Sequence, residues 1–229
     1  MGLRTFWTIL LFVVIGISVH AEMVLHYDFG NQTDPGQLAD SSGKGHHASV
    51  VAGYKCIEYQ GRKGVKLNPK SRLMIQNDKE LRLSGDMTIS FTFRMPQDIA
   101  AATAKRTPLI LGAAEPRAAN RTYALFWDRG NAIVMNIGSG RTYSGITIGE
   151  LNDGKIHQVV FRLENNQLYA YLDGALQPKS PIRVTPLDPN LGTAPICFGN
   201  WFAGVFLGEL YDLRLYNEAI SIDSIRTAD

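Results

Sequence analysis

Apolar and polar residues alternate with a period of two along most of this chain, the pattern of strands buried on one side. The clearest case runs from Met87 to Met95. There Met87, Ile89, Phe91, Phe93 and Met95 point one way, and Thr88, Ser90, Thr92 and Arg94 the other. The same reading predicts strands over residues 23–29, 49–51, 56–60, 64–67, 73–75, 108–111, 196–199 and 210–216. Residues 123–127 and 132–137 form a predicted hairpin around Asp128-Arg129-Gly130-Asn131, and residues 156–163 and 168–172 another around Asn165-Asn166. Asp173-Gly174 supplies the next tight turn, because both residues tolerate positive φ. Helix signals are few. Ser221 caps a short turn through Arg226, and residues 97–106 read as a loop insertion with one helical turn.

Residues 112–121 and 176–195 read as long connections. No linker divides the chain and no period of 20–50 residues repeats. The prediction is all-β: a single domain of two antiparallel sheets, a β-sandwich or jelly roll. Its first and last strands lie side by side, since sandwiches commonly bring their termini together.

Residues 1–21 stand apart. Arg4 precedes an apolar run from Phe6 to Val19, and Val19-His20-Ala21 offers small residues at the positions a signal peptidase reads. The run is short for a span of roughly 20 residues. We therefore expect a signal peptide over 1–21, a mature domain over 22–229, and a secreted, periplasmic or extracellular protein without a membrane span. The 23 basic and 21 acidic residues nearly balance, and the basic ones are scattered, which argues against a nucleic-acid partner. Cys56 and Cys197 either pair, as export permits, or remain free thiols. Asn31-Gln32-Thr33 and Asn120-Arg121-Thr122 fit the N-glycosylation pattern.

Five segments carry a family resemblance. His26-Tyr27-Asp28-Phe29 followed by Asp40-Ser41-Ser42-Gly43-Lys44-Gly45-His46-His47 is a strand and then an Asp-led glycine turn. Met87 to Arg94 is a central strand. Lys155-Ile156-His157-Gln158-Val159-Val160 and Tyr169-Ala170-Tyr171-Leu172-Asp173-Gly174 form the next two pieces. Gly208 to Ser221 closes the domain. In this order and spacing they resemble a laminin-G-like jelly roll of the concanavalin A-like lectin/glucanase superfamily. One difference is that Ile156 stands where the family pattern has a tryptophan. The superfamily includes carbohydrate-binding modules, lectins, adhesion domains, glycoside hydrolases and polysaccharide lyases, so the resemblance implies a fold more firmly than an activity.

Asp28, Asp40 and Asp212 are oxygen donors on the first strand, the turn after it and the last strand. The resemblance implies a structural calcium ion there, completed by carbonyls near Gly43 to His46. The alternative is that Asp40 only caps its turn and Asp28 meets a surface base. Hydrolysis by a retaining mechanism needs two carboxyl groups roughly 5–5.5 Å apart. Residues 87–95 and 156–163 carry no acid, and Glu209 and Asp212, three apart on a regular strand, face opposite sides. A lyase of this architecture would use a Gln-Ile-His-like strand with tyrosine and arginine. Ile156-His157-Gln158 with Tyr143, Arg162 and Tyr169 is superficially similar, although a packed, hydrogen-bonded His157 explains the same residues.

Sugar binding needs exposed aromatics beside planar polar groups. Asn200-Trp201-Phe202, Tyr143 beside Arg141, and Trp127 beside Asp128 and Arg129 are the candidates. The alternation of Trp127 with Tyr123 and Leu125 fits a core position equally well. The sequence thus points to an exported, non-catalytic module for a polysaccharide or glycoconjugate. The alternatives are a lyase or hydrolase of the same fold, or an adhesion domain with an extracellular protein partner.

Overall fold

The computed structural model describes residues 22–76, 78–83, 85–98, 107–111, 122–128, 131–186, 191, 196–198 and 206–226. In chain order the strands are Met23–Asp28 (β1), Gln37–Leu38 (β2), Ala48–Val51 (β3), Tyr54–Tyr59 (β4), Arg62–Leu67 (β5) and Arg72–Ile75 (β6). Met87–Arg94 (β7), Thr107–Leu111 (β8), Tyr123–Asp128 (β9), Ala132–Gly138 (β10), Tyr143–Ile148 (β11) and Ile156–Glu164 (β12) follow. Gln167–Leu172 (β13), Ala175–Leu176 (β14), Ile182–Arg183 (β15), Ile196–Phe198 (β16), Glu209–Tyr216 (β17) and the helical turn Ile222–Arg226 (α1) complete the chain.

These strands form two antiparallel sheets. One runs β14-β13-β12-β7-β17-β5-β4, with β1 also on β17 and β15 on β13; the other runs β11-β10-β9-β8-β16-β6-β3-β2. The expected sandwich is therefore present, with the first and last strands paired from Met23–Tyr216 to Asp28–Asp212. Both predicted hairpins form in register. Asn165 and Asn166 sit at φ 51 and 61, which lets a two-residue turn match the strand twist. Most of residues 97–106, and 112–121, lie outside the described residues. The expected long connection 176–195 instead contains β15, and β11 was not foreseen.

The alternating apolar residues meet between the sheets. Phe93, Trp127 and Phe206 pack edge to face with centroids 6.0–6.2 Å apart, and Phe91 stacks on Phe93 at 5.4 Å. Each such fully buried aromatic contributes on the order of 2–3 kcal/mol by area removed from water. A second, smaller cluster of Val160, Tyr216, Ile220 and Ile225 lies on the outer face of the first sheet, where α1 covers it. The Ser221 hydroxyl accepts the Ser224 N–H at 3.2 Å, the predicted cap. Among the described residues no helix is long and apolar enough to cross a membrane.

Candidate functional site

One irregularity in β17 creates the site. The strand follows β7 along its length, but its other edge changes partner, from β5 at Glu209 and Leu210 to β1 from Asp212 onward. A register shift falls between Leu210 and Asp212. Leu210, Leu213 and Leu215 all enter the core, so the extra residue turns Tyr211 and Asp212 to the same outer side. This corrects the expectation from spacing: Glu209, whose carboxylate accepts from the Tyr211 hydroxyl at 2.8 Å, and Asp212 share the outer face. Gly64 permits the irregularity. A Cβ there would lie 2.4 Å from the Leu210 carbonyl oxygen and 2.8 Å from the Tyr211 ring.

Beyond this point the β4–β5 hairpin no longer pairs with β17 and leans over the sheet's outer face. Its Tyr59 ring reaches the Arg94 guanidinium, 3.6 Å from the centroid, and Arg62 lies 5.8 Å over the Tyr211 ring. Arg94 is held in turn by both Glu209 oxygens at 2.9 Å and by the Gly154 carbonyl at 2.7 Å. Burial raises the Tyr211 hydroxyl well above its usual pKa, and the Glu209 carboxylate adds to it, so the hydroxyl stays a donor.

Between hairpin and sheet lies an open cleft of about 580 Å³, lined by His26, Asp28, Asn31, Arg62, Lys63, Tyr211, Asp212 and Arg214 with Gly30 and Gly61. Asp212 is bound by Arg214 Nε at 3.0 Å and Nη2 at 3.2 Å, and by His26 Nε2 at 2.9 Å. Its register partner Asp28 accepts from the Gly30 N–H at 3.0 Å and the Asn31 amide at 2.5 Å. These two aspartates are a cross-strand pair of the kind a glycosidase could start from, a role weighed from the sequence only for acids within one strand. Both carboxylates are engaged by protein donors. The expected adjacency of the chain ends already groups the two, with Asp40, as a calcium set.

Asp40 is a fold anchor. Its Oδ1 accepts the N–H groups of His26 at 3.0 Å and Ser42 at 2.9 Å, and its Oδ2 accepts the His46 N–H at 2.9 Å and the Ser42 hydroxyl at 2.7 Å. Burial alone would push this carboxyl up, but those donors outweigh it and hold the pKa below its usual value. The expected calcium set of Asp28, Asp40 and Asp212 does not fit a cation, because N–H donors and a guanidinium already face these oxygens. Among the described residues no group of three or more His, Cys, Asp or Glu is arranged to hold a metal ion.

The other candidates fall elsewhere. Trp127 is fully buried in the core and cannot meet a ligand, which settles its two readings. Arg141, in the turn before β11, and the 56 % exposed Tyr143, its first residue, lie at the edge of the opposite sheet and do not line the cleft. Asn200, Trp201 and Phe202 lie outside the described residues. Cys56 is a free, exposed thiol on β4, so the possible Cys56–Cys197 bond is not formed. His157 is packed as expected, with Nδ1 2.8 Å from Asp173 and Nε2 2.9 Å from Asp153. Arg62 and Lys63 were not among the sequence candidates, because two adjacent basic residues before a glycine look like any solvated turn.

Solved structures share this architecture at low identity. The binding domain of botulinum neurotoxin serotype D superposes with TM-score 0.67 at 14 % identity, over 90 % of this chain and 51 % of that one. The binding domain of botulinum neurotoxin DC in complex with rat synaptotagmin II gives 0.64 at 13 %, again over 90 % and 51 %. This chain thus spans about half the length of those toxin domains. Domain 4 of AbnA, an extracellular arabinanase from Geobacillus stearothermophilus in complex with arabinotriose, gives 0.63 at 17 %, over 90 % of this chain and 98 % of that one. No curated protein matches the chain by sequence. Residues 68–226 match the laminin G model of the concanavalin A-like lectin/glucanase superfamily, and the chain belongs to that family.

Proposed function

We propose that this is an exported, non-catalytic module that binds glycans through the cleft between the β4–β5 hairpin and β1/β17. The observation carrying this reading is the lining: an open trough whose side chains are planar and rich in hydrogen-bonding groups. Saccharide hydroxyls are recognised by such groups, and the trough is wide enough for one or two sugar rings. A neighbour of the same fold was solved with arabinotriose, which supports the reading by analogy of architecture alone. The apolar run and small-residue site before Glu22 support export.

An immobilised-glycan array probed with the mature protein tests the binding reading, with retention of at least one oligosaccharide class as the expected result. No retention on any class would overturn it. Release of new reducing ends or unsaturated products from a retained oligosaccharide would overturn the non-catalytic part. N-terminal sequencing of protein from the extracellular fraction checks export, which predicts a chain starting at Glu22.

A further inference from the structure

We infer that the cleft selects acidic saccharides, those carrying uronate carboxylates or sulfate esters, and that Arg62 and Lys63 are the residues that contact the anion. The inference rests on the glycan reading above and names the ligand class. It follows from an imbalance between cations and available carboxylates around the cleft. Arg214 is matched by Asp212, and Arg94 by Glu209. Asp28 spends its oxygens on its own turn. That leaves Arg62, half-buried, and Lys63, exposed, bordering the cleft; among the described residues neither forms an ion pair. Glu58 stands opposite Lys63 in register without an ion pair between them.

The imbalance extends past the cleft. Residues 54–70 hold Lys55, Arg62, Lys63, Lys66 and Lys70 against the single acid Glu58. Lys55 and Lys66 stand directly opposite each other in the hairpin, an arrangement that costs stability, and Lys66 adjoins a Glu209 already held by Arg94 and Tyr211. Lysine on an edge strand such as β4 can serve simply to discourage strand-to-strand aggregation. That accounts for Lys55; Arg62 and Lys63, on the stretch of β5 that pairs with β4 alone, differ from it in bordering the trough. A guanidinium and an ammonium that both border one trough, with Asn31 and His26 also lining it, suit an anionic group flanked by hydroxyls.

Calorimetric titration with length-matched neutral, uronate-containing and sulfated oligosaccharides tests the inference, using the wild type, Arg62→Ala/Lys63→Ala, and Lys179→Ala as a control at the far end of the sheet. The expected result is preference for one or both acidic sets over the neutral set by at least about tenfold, the range of a charge-assisted contact. The double variant should lose that preference, Lys179→Ala should keep it, and higher ionic strength should weaken it. The two acidic sets separate carboxylate from sulfate recognition. Equal or tighter binding of the neutral set, or an acidic preference that survives in the double variant, overturns the inference and leaves glycan binding standing. Absence of binding to all three sets by a folded wild type overturns the glycan reading itself.

Discussion

The two ends of the first sheet treat charged side chains in opposite ways. At the β12–β13 end, the His157 ring lies between Asp153 and Asp173, and the second Asp173 oxygen accepts the Gln158 N–H at 2.9 Å. That arrangement is closed, and its product is a rigid hairpin. At the β4–β5 end, the change of partner along β17 lifts the hairpin away and leaves Arg62 and Lys63 over a trough. Charged side chains hold the structure together where the fold answers their charges. They become available to a ligand where it does not.

The comparison breaks most severely if the open end is forced shut. Gly64→Val places a side chain against the Leu210 carbonyl and the Tyr211 ring, and should cost about 3 kcal/mol or more, seen as a large drop in melting temperature. Asp40→Ala removes the acceptor of three backbone N–H groups and a hydroxyl beside β1. A loss of about 2–3 kcal/mol is expected in chemical denaturation, whereas Asp28→Ala, which frees one N–H and one amide, should lose about 1 kcal/mol.

The closed end is sharpened by pH. Burial would lower the His157 pKa, but the hydrogen bonds and charges of Asp173 and Asp153 outweigh it and raise it above 6.5. The stability it contributes is therefore complete below about 6.5 and is lost as pH rises through the higher folded value. Asp153 behaves in the other sense. Burial would push it up, yet the Lys155 N–H and His157 bring it down to about 2, so its contribution holds above the ordinary carboxylate range and fades on acidification toward that value. Melting temperatures of wild type and His157→Gln across this range should converge at alkaline pH and diverge near pH 6. The smallest effect expected is from chelation, which should leave the melting temperature unchanged because donors already face the three aspartates. A fall on chelation would restore the calcium expectation.

Much of the frame was legible because it depends on local rules. Alternation over 87–94 marks a strand, Asn165-Asn166 accepts positive φ, and Ser221 caps α1. What escaped depended on partners distant in sequence. β11 begins Tyr143-Ser144-Gly145, which blurs the alternation, yet its pairing with β10 holds it as a strand. Glu209 and Asp212 share a face only because Gly64, far upstream, leaves room for an extra residue in β17. Asp40 looked like a metal ligand because its residue type suits one, but backbone donors from three places in the chain reach it first.

By itself, then, the sequence determined the class of fold, the course of most strands and the meeting of the chain's two ends, since periodicity and turn chemistry act over a few residues. Only the tertiary structure decided which charges are spent and which remain available. That depends on how many donors and acceptors converge at one point, and convergence is set by packing among residues far apart in the chain. The closing strand shows both: its alternation announces a strand, while its partners turn one irregular step into the cleft.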